Sequence, residues 1–204
     1  VITTALAGGV GGAKLLVGLD RALDPGRLTA IVNIGDDEEI YGVHVSPDLD
    51  IVAYWLAGLA DTQRGWGIRD DTFTVVQSLH RLGGEAWFRL GDRDFATCLY
   101  RTQQLRAGAT LSAITDDIRR ALGIASVLVP ASDDRVRSKV VTQTSGTLDF
   151  QEYFVRERAR PAVEDVTFEG IRDAKPAPAV LPAIEGADRV ILCPSNPVLS
   201  IAPI

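Results

Sequence analysis

The sequence predicts an α/β fold: a Rossmann-like, mostly parallel sheet flanked by helices, with a helical insertion and a β-hairpin. Three observations predict this class. Strand-like apolar runs alternate with helical segments along the chain, which is the pattern of βαβ units. The first apolar run is followed by a glycine-rich segment, where a strand would pass into a helix. The second run, at residues 28–34, is apolar nearly throughout, as in a strand covered on both faces.

The individual elements follow in chain order from these runs and from their end signals. Strands are predicted at residues 1–6, 28–34, 126–130 and 189–193. Helices are predicted at residues 13–23, 46–59, 72–82, 94–106 and 111–122, and most of them end at glycine. Ser46, Pro47 and Asp48 supply the N-cap, the first-turn proline and the early acid of the second helix. Residues 139–144 and 147–153 alternate around Ser145-Gly146 and predict the hairpin, and a Pro-rich linker at 175–182 leads to the last strand.

Composition limits the class of protein. We expect the 204 residues, 46% of them hydrophobic, to form one domain over residues 1–204, with the helical insertion at about 60–123. The net charge of −6 argues against a nucleic-acid partner. Cys98 and Cys193 lie far apart, which fits a reducing cytoplasm. No apolar run is long enough for a bilayer span, so we expect no membrane partner.

The glycine-rich segment at residues 7–14 is the first candidate binding element. Glycines before a helix let a bulky anion approach the backbone, and the helix N-terminus offers free N–H groups. The segment fits neither standard fingerprint, because Lys14 follows Ala13 and precedes Leu15, and because Lys14 occupies the place of the third dinucleotide-binding glycine. Two interpretations stay open: a phosphate site, or a tight turn without a ligand.

Six carboxylates between positions 36 and 50 form the second candidate element. Mg²⁺ prefers carboxylate oxygens together with substrate phosphates, so this segment is a candidate metal site for phosphoryl transfer. A solvated acidic loop is the alternative for Glu38 and Glu39. For Asp48 and Asp50 the alternative is stabilisation of the helix dipole, because they lie in the first predicted turn.

Charges of both signs surround Gly91 in the segment 88–94, where arginines could bind phosphate or simply form salt bridges at a helix start. The two histidines, His44 and His80, suggest no Ser-His-Asp or Cys-His arrangement. Hydrolysis through a nucleophilic side chain is therefore not expected.

Six short segments, taken in order, resemble one family: the 2-phospho-L-lactate transferases of coenzyme F420 biosynthesis, whose actinobacterial members are phosphoenolpyruvate transferases. The segments are residues 7–14, 32–37, 46–50, 90–94, 130–134 and 194–197. The resemblance implies transfer of a phospholactyl or phosphoenolpyruvyl group from a guanosine diphosphate-linked donor to the ribityl hydroxyl of the deazaflavin Fo. It further implies GMP release, use of Mg²⁺, and a cytoplasmic homodimer.

The resemblance also assigns residues. Asp50 matches the family's catalytic, Fo-binding and metal-linked aspartate, and Arg89 matches its basic Fo-binding position. For Mg²⁺ we predict Asp37, Asp48 and Asp50. The predicted nucleotide- and phosphate-binding residues are Gly8, Gly9, Gly11, Gly12, Lys14, Ser195 and Asn196.

One departure and two alternatives accompany this interpretation. Family members usually continue well past the 194–197 loop, so we expect a C-terminal part of the usual length to be absent here. A related group of nucleotide-sugar-binding regulators of morphogenesis and gluconeogenesis is the first alternative, although there the second strand leads into a different glycine- and serine-rich pattern. An NAD-dependent oxidoreductase is the second; Asp36 could then bind the ribose, but Lys14 breaks the glycine pattern.

Overall fold

The computed structural model describes residues 1–204. Its strands are β1 (Thr3–Ala7), β2 (Leu28–Val32), β3 (Glu38–Ile40), β4 (Val43–Val45), β5 (Val127–Pro130), β6 (Arg137–Thr142), β7 (Gly146–Asp149), β8 (Val163–Glu169) and β9 (Arg189–Leu192). Its α-helices are α1 (Gly9–Ala22), α2 (Pro47–Leu56), α3 (Thr74–Arg81), α4 (Asp92–Arg106), α5 (Leu111–Ala121) and α6 (Val180–Glu185). Short π-helical segments cover Glu152–Arg156 and Pro197–Ile201.

The central sheet has the strand order β5-β2-β1-β9, and every pair in it is parallel. With the helices that flank it, this sheet confirms the predicted α/β class. The main core of 21 buried residues includes β1, β2 and the inner faces of α1 and α2. The buried strand β2 has the nearly continuous apolar character of a strand covered on both faces.

Parallel order brings the carboxyl ends of β1, β2, β5 and β9 to one edge of the sheet. Ligands bind outside this edge in open α/β sheets. The segments that leave it are the start of α1, the acidic segment after β2, the turn after β5 and the loop after β9. The hydroxyl of Ser195 donates to the carbonyl of Gly8 at 2.6 Å, so the first and last of these segments touch.

Two smaller sheets depart from the predicted plan. The acidic segment contains the hairpin β3–β4, which the sequence analysis missed. The hairpin predicted around Ser145-Gly146 forms as β6–β7, but its second strand ends at Asp149, and the unpredicted strand β8 adds to the other side of β6. The predicted Pro-rich linker passes into α6.

The hairpin β3–β4 holds the acidic segment against α4. Ile40, Val43 and Val45 form a second core with Val76 of α3, together with Leu90 and Cys98. Helices α3, α4 and α5 all lie between residues 74 and 121. Among the helices of the chain, none combines the length and apolar character that a membrane crossing requires.

Candidate active site

The glycine segment begins α1 itself, whereas the sequence analysis placed the start of this helix at Ala13. Gly9 is the first helical residue and has φ +62°, a left-handed conformation that favours glycine. Its N–H donates to Asp48 Oδ1 at 2.8 Å, and the N–H of Gly8 donates to Ser195 Oγ at 3.3 Å. An aspartate of this chain therefore accepts from the helix N-terminus, where an anion is electrostatically favoured.

The other glycines are required by close approach of the chain to itself. A Cβ at Gly11 would lie 2.2 Å from the carbonyl oxygen of Pro194, and one at Gly12 would lie 2.9 Å from Ser195 Oγ. A Cβ at Gly8 would lie 2.6 Å from Asp48 Oδ2. The glycine pattern thus locks the start of α1 against the 194–195 loop and against the acidic segment.

Four carboxylates of the acidic segment are buried, with residue exposures of 2–7%: Asp36, Asp37, Asp48 and Asp50. Asp37 Oδ2 accepts from Ser46 Oγ at 2.8 Å and lies 2.9 Å from His44 Nε2. Asp48 Oδ2 accepts from the amide of Asn33 at 2.9 Å. Burial excludes a solvated loop for these four residues, whereas Glu39 is exposed as such a loop predicts.

The buried carboxylates repel one another. Burial and the neighbouring charges of Asp48 and Asp37 raise the pKa of Asp36 well above its ordinary value. Burial raises the pKa of Asp48 to about 6, and its hydrogen bonds from Asn33 and Gly9 oppose that shift. Oδ1 of Asp36 and Oδ1 of Asp37 are buried without any hydrogen-bond partner. Buried carboxylate oxygens are the ligands that a hard cation such as Mg²⁺ prefers, although the close convergence of ligand atoms within 4.8 Å is found at Asp50, Asp94 and Cys98.

Asp50 lies in an adjacent buried network and is ion-paired with Arg101 of α4. Nη1 of Arg101 donates to Asp50 Oδ2 at 3.1 Å, and Nη2 donates to Asp50 Oδ1. Both groups are almost fully buried, at 2% side-chain exposure for Arg101 and 7% for Asp50. The Asp50 carboxylate holds the pKa of Arg101 above its usual range, while burial raises the pKa of Asp50 and Arg101 opposes that rise.

Asp50 and two neighbouring side chains, Asp94 and Cys98, bring potential metal-ligand atoms within 4.8 Å of one another. Tyr54 Oη donates to Asp94 Oδ1 at 2.8 Å. Burial, with the charge of Asp50, raises the pKa of Asp94 to about 7. The guanidinium of Arg101 already binds both oxygens of Asp50. The positive charge in this cluster therefore comes from a side chain of the protein itself.

The remaining predicted residues divide between the edge of the sheet and the surface. Asn196 Oδ1 accepts from the N–H groups of Val198 and Leu199 at 3.0 Å each, so it caps the last π-helical segment. The Lys14 ammonium lies 5.5 Å from the centre of the Trp55 ring. Arg89 is exposed and stacks on Phe73 at 4.6 Å.

The structure thus brings Gly8, Gly9, Asp48 and Ser195 into one hydrogen-bonded group. No hydrogen bond or ion pair joins Arg89 to the acidic segment. Sequence reasoning missed Asn33 as a partner of Asp48 and missed Arg101 as the partner of Asp50. Arg101 lies mid-helix, one turn after Cys98, and no local pattern distinguishes it from a surface arginine.

Comparison with known proteins gives a consistent result. A family model described as 2-phospho-L-lactate transferase CofD matches residues 3–204. The phosphoenolpyruvate transferase of Streptomyces griseus is 46% identical over 203 residues, which cover 98% of this chain and 64% of that protein. The phosphoenolpyruvate transferase of Mycobacterium tuberculosis is 42% identical over 220 residues, which cover 98% of this chain and 66% of that protein. The chain therefore spans about two thirds of the length of these relatives.

A solved structure also matches the fold. A Bacillus halodurans protein of the UPF0052 family superposes with a TM-score of 0.63 at 18% identity, over 98% of this chain and 61% of that protein. At this identity the likeness concerns the fold, and it agrees with the parallel central sheet described above.

Proposed function

The chain belongs to the 2-phospho-L-lactate transferase CofD family, and from this premise we propose a specific reaction for it. The chain transfers a phosphoenolpyruvyl or phospholactyl group from a guanosine diphosphate-linked donor to the ribityl hydroxyl of Fo, in coenzyme F420 biosynthesis. The hydroxyl oxygen forms a new bond to the phosphorus next to the three-carbon acid. The bond from that phosphorus to the GMP oxygen breaks, GMP leaves with the electron pair, and the hydroxyl proton passes to water.

The observation that carries this proposal is the buried acidic group facing the start of α1. Asp36, Asp37 and Asp48 are buried near one another at the carboxyl edge of the sheet, and two of their oxygens have no partner. These three residues would hold Mg²⁺, which neutralises the charge of a pyrophosphate when bound. A group of carboxylates that holds Mg²⁺ serves phosphoryl transfer, whereas a hydride-transfer site does not need one.

The nucleotide wall of the proposed site consists of the glycine segment and the 194–196 loop. Gly8, Gly9 and Ser195 line this edge, where their N–H and hydroxyl groups donate to Ser195, Asp48 and Gly8 of the chain itself. Gly11 and Gly12 allow the loop to approach the helix. We retain Lys14 and Asn196 in the proposed wall, although Lys14 contacts Trp55 and Asn196 caps its own segment in this structure.

We assign Asp50 to the acceptor. Bidentate pairing with Arg101 fixes the orientation of its carboxylate and leaves fewer lone pairs for a metal than Asp37 offers. In that fixed position Asp50 accepts a hydrogen bond from the ribityl hydroxyl and orients it for attack. Arg89 is the proposed second Fo contact, and the homodimer and the cytoplasmic location accompany the proposal as further expectations.

The test is GMP release measured by chromatography in the presence of donor, Fo and Mg²⁺. We expect Mg²⁺-dependent release from the wild type, and Asp50→Asn should lower kcat far more than it weakens GDP binding. Asp165→Asn, an exposed substitution of the same kind, is the matched control.

Absence of GMP release would refute the transferase reaction. Saturable UDP-sugar binding without turnover would support the regulator instead, and hydride transfer from NADH would support the oxidoreductase. Equal loss of turnover and GDP binding in folded Asp50→Asn would show that Asp50 serves the nucleotide rather than the acceptor.

A further inference from the structure

A cavity of about 260 Å³ lies beside the acidic group, at the carboxyl edge of the sheet. Asp37 and His44 line it on the side of the hairpin β3–β4. The turn after β5 and the start of β6 line it on the other side with Asp133, Asp134 and Arg137. Because Asp37 belongs to both, the cavity is continuous with the proposed metal site.

Arg137 is the unusual member of this lining. The residue is only 7% exposed, and its one hydrogen bond runs from Nη1 to the carbonyl of the preceding Val136 at 2.7 Å. It forms no ion pair, whereas the neighbouring Arg135 is exposed and binds Glu169 at 2.6 Å. A guanidinium carries five N–H donors, so most of the donors of Arg137 are unused. The unfavourable burial of this charge is only partly offset by the nearby charges of Asp37, Asp149 and Glu38, and an anion in the cavity would compensate the rest.

None of the acids that line the cavity, Asp37, Glu39, Asp133 and Asp134, forms an ion pair or a hydrogen bond with Arg137. Asp133 Oδ1 accepts from the N–H of Ser112 at 2.7 Å, and Asp134 Oδ2 accepts from the N–H of Lys175 at 2.8 Å. Asp37 Oδ1 differs from the other acids of the lining in being fully buried without a hydrogen-bond partner. The cavity therefore offers free donors from Arg137 beside a buried, unpartnered oxygen of Asp37. This pairing suits an anion that also carries a metal ion.

We propose that this cavity is the subsite for the acid end of the donor, in which Arg137 binds a pair of anionic oxygens, from carboxylate or phosphate. The inference rests on the proposed function, because it takes the donor from there. The size of the cavity agrees with this proposal. Pockets for whole drug-sized ligands occupy roughly 300–1,000 Å³, so this smaller cavity suits one end of a ligand. A planar guanidinium fits two oxygens of one carboxylate or phosphate in a bidentate arrangement.

The experiment measures binding without turnover and without Fo. Isothermal titration with phosphoenolpyruvate, pyruvate, inorganic phosphate and GDP is compared between wild type, Arg137→Gln and the exposed control Arg160→Gln. We expect Arg137→Gln to weaken phosphoenolpyruvate binding roughly 10- to 100-fold, the usual effect of losing hydrogen bonds to a charged partner, and to leave GDP binding nearly unchanged. Parallel loss of pyruvate binding identifies the carboxylate as the Arg137 ligand, and parallel loss of phosphate binding identifies the phosphate.

A measurement on the wild type covers the case in which Arg137→Gln does not fold. Phenylglyoxal labelling, read by peptide mass spectrometry, should be blocked at Arg137 by phosphoenolpyruvate and should continue at Arg160. Unchanged labelling of Arg137 at saturating phosphoenolpyruvate, or equal loss of GDP and phosphoenolpyruvate binding in folded Arg137→Gln, would overturn the assignment. Selective loss of phosphoenolpyruvate binding in a protein that releases no GMP would support the subsite while refuting the proposed reaction.

Discussion

Replacement of Arg101 by methionine should destabilise the chain strongly and in a pH-dependent way. The substitution keeps an unbranched apolar side chain in α4 but removes the guanidinium that binds both oxygens of Asp50. Because the pair is almost fully buried, its loss leaves a carboxylate without a countercharge and out of contact with water. Removing one partner of a buried pair typically costs about 3–5 kcal/mol. For a chain of this length, that corresponds to a fall in Tm of roughly 6–20 °C.

The sign of the pH dependence follows from Asp50. Without Arg101, burial and the charge of Asp37 act on this carboxyl with only His44 opposing them, so its pKa in the folded state rises further above the value in the unfolded chain. A carboxyl with a raised pKa is stable in the fold while protonated and loses stability as pH rises through the folded-state pKa. The defect of Arg101→Met should therefore be smaller at about pH 5 than at about pH 8.

The assay is urea unfolding at both pH values, applied to a double-mutant cycle. Asp50→Asn alone leaves the guanidinium unpaired and should also destabilise, but the combination with Arg101→Met should recover much of the loss, because neither charge remains buried. Arg106→Met, at the exposed end of the same helix, is the control and should change stability by less than about 0.5 kcal/mol. Strictly additive losses in the double variant, or a loss below about 1 kcal/mol for Arg101→Met at neutral pH, would refute the reasoning.

Two further changes test the packing and the charges of the edge. Gly11→Ala should cost about 1–3 kcal/mol in urea unfolding, because its Cβ would overlap the carbonyl of Pro194, whereas Gly18→Ala, with open space in the same helix, should stabilise by up to about 1 kcal/mol. Equal effects at both positions would contradict the close approach. Asp94→Asn should gain stability relative to wild type as pH rises from about 5 to 8, since the wild type must ionise a buried carboxyl whose pKa is about 7. A stability difference that is constant with pH would show that Asp94 is not protonated in the folded chain.

The parallel sheet could be predicted because each of its strands depends on a local signal. Strands β1, β2 and β9 are apolar runs, and the start of α2 has a proline and acids in its first turn. The hairpin β3–β4 was missed because its two-residue turn is Tyr41-Gly42, with φ of 54° and 74°. Tyrosine rarely adopts this left-handed conformation, so the pattern lacks the usual Asn-Gly or Asp-Gly signature.

The chemistry of the site was only partly visible in the sequence, for a different reason. A run of acids normally indicates a solvated face, whereas Asp36 and Asp37 are buried by a fold in which the distant strand β6 packs against this segment. The ion-pair partner of Asp50, Arg101, is likewise distant in sequence. The order of segments in the sequence predicts which residue types lie at the carboxyl edge of the sheet. Which charged side chains form ion pairs there is decided by the tertiary structure.

The glycine segment shows how this distinction changes an interpretation. Its glycines first suggest a phosphate site, but Gly11 and Gly8 are already required by the approach of Pro194 and Asp48. Glycine content alone is therefore weak support for a ligand here. The carboxylate of Asp48 already accepts from the N–H of Gly9 at the N-terminus of α1, and it joins this helix start directly to the acidic group. A cation bound by the acidic group would attract the negative charge of Asp48, which otherwise acts on the start of α1. Binding of the cation and binding of the nucleotide at the glycine segment should therefore be coupled.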